Sequence, residues 1–452
     1  MRLRKTITTI VATAILLAGW QLFAVIANQP ELIPSLPRLV RTLCEWLVSS
    51  SFYQSVGATI LRGILGMSIS FVCAIGMAGL FARFEWVYEL FRPLLAIMRS
   101  IPVISFILLA LIFLNPESIP LMIAFLTMFP LLTENLTRGI LDLRPGLSIM
   151  ARQFHIRRSN VLFQIIYPQL KPFLYSGLAS AAGFGWRAII MGEVLSQCAF
   201  GIGSEMKRAQ NFIAVPELLA WTIVAVFISF FFDKGISKVA DITPKISFAN
   251  EDQTIPPPTL SVLDTKDISY QYGIQHFSHS FQKGIIYGIS APSGKGKTTL
   301  LNLIGGILLP TEGEIHPTRH FGIATIFQQP QLLPYLTAEE NIILPLSSFL
   351  TEEKARRIAQ KHLQEMEMEP FGNRYPKELS YGQQQRIAIA RALAYPSPLL
   401  LMDEPFKGLD EALSHRIIER IREKQMKEER IILFTSHNPD EIRLLADEVI
   451  YL

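Results

Sequence analysis

The stretch Ala291-Pro292-Ser293-Gly294-Lys295-Gly296-Lys297-Thr298 decides what the last third of this chain is. The apolar run 285–290 before it reads as a strand, and 298–304 reads as the helix after it. Between the two, glycines let backbone N–H groups face phosphate oxygens, aided by the positive end of the helix. Ser293, Gly294, Lys295, Gly296, Lys297, Thr298 and Thr299 are therefore the expected phosphate contacts. Lys297 reaches the β- and γ-phosphates, and the Thr298 hydroxyl is offered to Mg2+. Ala291 stands at the first glycine of the pattern, where its methyl is tolerable if φ stays below zero. Such a loop alone signals a nucleoside triphosphate and little more.

Downstream motifs narrow it. Residues 399–402 are an unbroken apolar run followed by Asp403-Glu404-Pro405, the pattern of a buried parallel strand. Asp403 at its end is placed for Mg2+. Ser380-Tyr381-Gly382-Gln383 puts a hydroxyl and backbone N–H groups at a helix start, suited to gripping a phosphate. Gln328 follows the strand at 323–327, Gly408-Leu409-Asp410 follows Glu404, and His437 ends Thr435-Ser436-His437. In this order the motifs resemble the ATP-binding cassette of ABC transporters, with Tyr381 where that family most often has glycine. The resemblance implies that Glu404 polarises the attacking water and that His437 meets the γ-phosphate. It implies that Gln328 senses Mg2+ and the transmembrane domain, and that Asp410 lies on a dimer-facing loop. It also implies that Ser380, Gly382 and Gln383 contact ATP held by the other protomer, so one chain cannot complete a site. An aromatic upstream should stack on adenine; Tyr272 is the candidate and Tyr270 its neighbouring competitor. Residues 332–337 look like importer cassettes.

The remainder reads as membrane. Half of the 452 residues are hydrophobic and only 18% are charged, with the apolar excess before Phe232. Mean hydropathy is +0.32. A net charge of +4 lends no support to nucleic-acid binding. Cys44, Cys73 and Cys198 form no CxxC pair and no metal spacing. Six stretches meet or approach the ~20 apolar residues a spanning helix needs: 7–27, 58–82, 94–114, 119–132, 173–195 and 218–232. Arg2, Arg4 and Lys5 put the N-terminus in the cytoplasm, and the basic segment 138–171 falls on the same side. The first stretch also has signal-peptide features, but its apolar run is long for one. Inside the spans, Arg99 is placed to snorkel; Arg187 and Glu193 either line a translocation path, or pair between helices or anchor at the interface.

Residues 151–168 mix basic and aliphatic residues at helical spacing, with Pro168 expected to end the helix. This segment resembles the cytoplasmic coupling loop of ABC importer permeases, departing from it near Ile149 (usually Glu) and His155 (usually Gly). Phe154, Ile156 and Phe163 are its candidates to fill a groove on the cassette beside Gln328. Residues 30–235 more broadly look like permeases of the nitrate, sulfonate and taurine uptake group. A polar, proline-bearing run at 245–260 is expected to be a semi-rigid spacer.

The expected architecture is an α-helical six-span membrane domain (1–240), a linker (241–259) and an α/β P-loop cassette (260–452). The resemblance implies a fused importer subunit in the plasma (inner) membrane, with its cassette cytoplasmic, using ATP and Mg2+. Implied partners are a second copy, surrounding lipid and an extracytoplasmic solute-binding protein. The solute is small, an anion such as nitrate, sulfonate or taurine, or another metabolite. An exporter half-transporter and a membrane-anchored ATPase that moves no solute are the competing readings.

Overall fold

Residues 2–240, 244–253, 260–271, 273–292, 294–317 and 322–452 are described by the computed structural model. Helices come first: α1 (Arg2–Ala27), α2 (Leu36–Trp46), α3 (Ser50–Arg83), α4 (Glu85–Ser100), α5 (Val103–Phe113), α6 (Ile119–Leu141), α7 (Pro145–Gln153), α8 (Arg158–Asn160, prolonged by a π turn at Val161–Ile166), α9 (Tyr167–Ser196), α10 (Ile202–Asn211) and α11 (Val215–Ala240). The chain divides into two units, Met1–Leu143 with Gln169–Thr243, and Arg144–Pro168 with Pro244–Leu452.

Every expected apolar stretch lies in this helical region. Among the described residues, four helices are long and apolar enough to cross a membrane: Ser50–Arg83, Pro116–Leu141, Arg158–Ser196 and Val215–Lys238. Helices α4 and α5 make a fifth only as a pair bent by 95°, and Val11–Ala27 is a shorter apolar helix. The bend falls at Ile101-Pro102, where both residues take extended backbone because proline excludes helical geometry from the residue before it. Within the first unit, α3 buries a stripe of small residues, Ser55, Thr59, Gly63, Gly66, Ser70, Ala74 and Ala78. In lipid, helices associate by such close approach rather than by hydrophobic drive. A Cβ on Gly66 would stand 2.6 Å from that of Ala124 on α6.

Glu193 is paired between helices. Its carboxylate is fully buried and accepts hydrogen bonds from Arg62 Nη1 (2.7 Å), Thr59 Oγ1 (2.9 Å) and the Gly203 amide (3.0 Å). Arg62 Nη2 reaches Glu117 at 2.7 Å, so one guanidinium ties α3 to α9 and to the turn before α6. Arg187 is exposed. Arg99 pairs with Glu134 instead of simply snorkelling.

The second unit carries β1 (Val262–Tyr270), β2 (Ile274–Gln282), β3 (Ile286–Ser290), α12 (Lys297–Gly305), β4 (Glu312–His316), β5 (Ala324–Ile326), α13 (Ala338–Leu346), α14 (Glu352–Glu365), α15 (Tyr381–Ala394), β6 (Leu399–Asp403), α16 (Glu411–Glu428), β7 (Ile431–Thr435), α17 (Pro439–Leu445) and β8 (Glu448–Tyr451). Strands β5-β6-β7-β3-β8 pair in that order as a parallel sheet, and β2-β1-β4 form an antiparallel one. Strands β6 and β7 are buried along their whole length, as their unbroken apolar sequences require.

Residues 144–168 belong to this cassette unit. Leu147, Met150, Ala151, Phe154, Ile156 and Ile165 join one buried cluster with residues of α13, α14 and α15. Gln153 donates to Gly305 O (2.8 Å) and accepts from Thr325 Oγ1 (3.3 Å), while the Ile323 amide donates to Gln153 O (2.8 Å). Three details differ from the sequence expectation. Phe163 is 48% exposed and fills no groove, because it lies on the outward side of the π turn. Pro168 does not end a helix: it sits at the second position of α9, directly after the π turn, a geometry suited to a residue with no N–H to donate. The break comes earlier, at His155, which holds φ +45°, the left-handed conformation that favours glycine. The polar run expected to be a semi-rigid spacer is fastened to the cassette unit where it is described. Asn160 exchanges hydrogen bonds with Ser247, and the Ala249 and Gln253 amides donate to Ser347 O and Phe349 O. Its prolines, 256–258, lie outside the described residues.

Candidate active site

The phosphate loop runs from the end of β3 to the start of α12. Gly296 caps α12 at φ +91°, and a Cβ there would lie 2.6 Å from Gly273 O, so no side chain is admitted. Gly294 is also left-handed, at φ +82°. Ala291 is not among the residues with positive φ, so its methyl meets the condition set by the sequence. Lys297 is 7% exposed, and its Nζ donates to Ala291 O (2.7 Å) and Pro292 O (3.4 Å), folding the amine back along the loop. Lys295 and Thr298 are exposed and Thr299 is half-buried. Ser293 and Tyr272 lie outside the described residues.

Asp403, at the end of β6, is the hub. Thr298 Oγ1 donates to its Oδ2 (2.9 Å) and Thr435 Oγ1 to its Oδ1 (2.8 Å). Burial pushes the Asp403 carboxyl up from the usual carboxylate range, partly offset by these two hydroxyls. Thr435 also accepts from the Glu404 amide (3.0 Å), which fixes the turn out of β6. Glu404 follows at φ +47°, a left-handed conformation that aims its side chain away from the strand. Its Oε1 lies 2.8 Å from His437 Nε2 and its Oε2 lies 3.1 Å from Lys407 Nζ. Burial raises this carboxyl, but Lys407 and His437 together outweigh it and hold Glu404 below the ordinary range.

The remaining expected residues lie on neighbouring turns. Ser380 caps α15: its hydroxyl accepts from the Gln383 amide (3.3 Å) and the Gln383 side chain accepts from the Ser380 amide (2.9 Å), a capping box. Asp410 caps α16 by accepting from the Leu413 amide (2.9 Å). Gly382 approaches so closely that a Cβ would stand 2.6 Å from Gly408 O. The Gln328 side chain is exposed, and the Gln328 backbone carbonyl accepts from Tyr381 OH at 2.8 Å.

Lys297, Thr298, Asp403, Glu404 and His437 are thus linked by short contacts or adjacent position. Among the described residues, no hydrogen bond joins Ser380, Gly382, Gln383, Asp410 or the Gln328 side chain to that group. Three participants carried no sequence assignment: Thr435, Lys407 and Tyr381. Thr435 stood in the quoted Thr-Ser-His motif, and Lys407 lay between two motifs, but nothing local marks a hydroxyl or amine whose partner comes from another strand or turn. The donor set fits a Mg2+-triphosphate: left-handed glycines leave backbone amides uncovered, a buried lysine lies along the loop, and a hydroxyl–carboxylate pair sits at the strand end.

Comparison with known proteins agrees in both halves. The family model described as "ABC transporter" matches residues 274–407. That described as "Binding-protein-dependent transport system inner membrane component" matches residues 55–233. An uncharacterized ABC transporter ATP-binding protein of Methanocaldococcus jannaschii is 34% identical over 201 residues, 40% of this chain and 85% of that protein. The Fe(3+) ions import ATP-binding protein of Rhizobium etli is 35% identical over 189 residues, covering 40% of this chain and 54% of that one. A glucose import ATP-binding protein of Saccharolobus solfataricus is 35% identical over 185 residues, with 38% and 52% covered. The chain spans about half the length of these two import proteins.

Proposed function

We propose, from the premise that the chain belongs to the ABC transporter family, that it is a permease and ATPase fused in one polypeptide, importing a small solute at the expense of ATP. One observation carries this reading. The region matching an import-type inner membrane component, 55–233, precedes in the same chain a cassette in which Lys297, Thr298, Asp403, Glu404 and His437 converge. That match supports import over export.

The phosphate loop and Lys297 bind the triphosphate. Bound Mg2+ would neutralise phosphate charge, and Thr298, Asp403 and Gln328 are the residues to hold it. Glu404 orients the attacking water as an ionised carboxylate, kept so by Lys407 and steered by His437. Ser380, Gly382, Gln383 and Asp410, engaged with their own helix caps and turns, face a second copy of the chain, which completes each ATP site. The working unit is a homodimer in the plasma (inner) membrane, its cassettes cytoplasmic, served by an extracytoplasmic binding protein. The permease half favours a small anion such as nitrate, sulfonate or taurine. Its cassette relatives include Fe(3+) and glucose import ATP-binding proteins, so the cassette match favours no one solute.

Complementation tests the reading. Lys297→Ala and Ser380→Arg are each expected to abolish ATP turnover in the reconstituted chain. Co-expressed, they restore one intact composite site and hence turnover above either alone. No recovery at any expression ratio would refute the composite site, and wild-type chain with no ATPase sensitive to Lys297→Ala would refute the function.

A further inference from the structure

Arg391 lies in the last turn of α15, the helix that Ser380 caps, and among the described residues it is the largest fully buried side chain, at 1% exposure. Among the described residues it has no carboxylate partner within ion-pair distance, an unusual state for a buried guanidinium. Two other features hold it. Nη1 donates to Gln331 O (2.9 Å) and Nη2 to Pro330 O (3.0 Å), a fork closing on consecutive carbonyls. Its Cζ stands 5.3 Å from the ring centroid of Phe154, within cation–π range. The Phe154 ring is itself fully buried and meets Tyr395 edge-on, with centroids 5.2 Å apart. Burial pushes the guanidinium down to about 9, which leaves it cationic at neutral pH.

The partners are what give this cation meaning. Pro330 and Gln331 follow Gln328 by two and three residues, and Gln331 is left-handed at φ +42°, so the turn needs an external hold. Phe154 belongs to the segment 144–168, which by sequence joins two membrane helices. That segment touches the same turn a second time, since a Cβ on Gly146 would stand 2.5 Å from Gln331 Oε1.

We propose that Arg391 is a positioning residue that ties Phe154 to the backbone behind Gln328, so that displacement of the segment 144–168 is delivered to Gln328 and not absorbed by side-chain slack. Among the described residues, Arg391 makes no hydrogen bond to Lys297, Thr298, Asp403, Glu404 or His437. It acts through the turn it clasps, and lysine cannot replace it, because a single ammonium cannot fork onto two carbonyls and lie against a ring together. The inference rests on the ATPase reading above.

The test is a double-mutant cycle on the full chain in lipid nanodiscs, with Phe154→Leu, Arg391→Met and the pair, measuring kcat and KM for ATP–Mg2+ with melting temperature alongside. Each single variant is expected to lower kcat about fivefold or more with KM within about twofold, and the pair to be no slower than the slower single variant. Arg391→Lys is expected to resemble Arg391→Met. Wild-type kcat in Phe154→Leu or Arg391→Lys, or losses that multiply in the pair, would overturn the proposal. A merely structural role would lower the melting temperature and leave kcat per folded molecule unchanged. If Arg391→Met does not fold, Phe154→Leu and Arg391→Lys form the cycle. Wild-type turnover abolished by Lys297→Ala keeps the ATPase reading separate: where that control fails, the function falls, and where it holds but the cycle is additive, only this inference falls.

Discussion

Replacing Phe154 by alanine deletes a ring that is fully buried between Tyr395 and Arg391 in the core shared by the segment 144–168 and the helices of the cassette. A buried Phe→Ala change costs about 3–5 kcal/mol from lost transfer energy and the cavity left behind. The edge-on aromatic contact and the cation–π contact each lie within that figure at about 1 kcal/mol. Tyr395 and Arg391 are held by their own backbone and carbonyl contacts, so the space collapses little and the lower bound, about 3 kcal/mol, is the conservative expectation. Spent on the docking of this segment, it raises the population of the undocked form about 10²-fold. Hydrogen exchange reads that directly at the Ile323 amide, whose acceptor is Gln153 O at 2.8 Å, and at the amides of α7. Exchange there should accelerate about 10²-fold, while ATP affinity stays at the wild-type value because Lys297 and its loop make no contact with Phe154. Exchange within threefold of wild type at Ile323 would mean that the ring does not secure the segment.

Other consequences are as direct. Glu404→Gln removes the carboxylate that His437 and Lys407 grip, so ATP should still bind while turnover falls about 10²-fold or more; near-normal turnover in single-cycle assays would dismiss the assignment. Lys407→Ala removes part of what holds the Glu404 carboxyl below its ordinary range. A depressed carboxylate stays ionised until pH falls through its folded value, so losing Lys407 should move the acid limb of the kcat–pH profile upward, and an unmoved or lowered limb would contradict the electrostatic account. Arg62→Ala leaves Glu193 buried without its cation and should destabilise the helical unit by about 3–5 kcal/mol, seen as a lower melting temperature in detergent. Adding Glu193→Gln should recover much of it, and no recovery would show that the ion pair is not what Arg62 contributes.

The sequence by itself determined every feature whose physics is local. The phosphate loop was legible because left-handed glycines between an apolar strand and a helix start leave few alternatives, and β3, Gly296 and α12 form it with boundaries within one residue of the expected ones. The apolar runs marked the membrane-type helices, and the Asp-Glu strand end and the capping box of Ser380 with Gln383 were likewise written in short stretches. Tertiary structure alone decided the partnerships. Thr435 steadies Asp403 across 32 positions, Tyr381 reaches Gln328 across 53, Arg62 neutralises Glu193 across 131, and Phe154 meets Tyr395 across 241. It also decided that the helix runs on past Pro168, that Phe163 faces outward, and that 247–253 is fastened to the cassette unit. The reason is physical: a motif encodes backbone geometry within a few residues, whereas a buried charge or ring reports only that it needs a partner, and which partner it finds is settled by the packing of the whole unit.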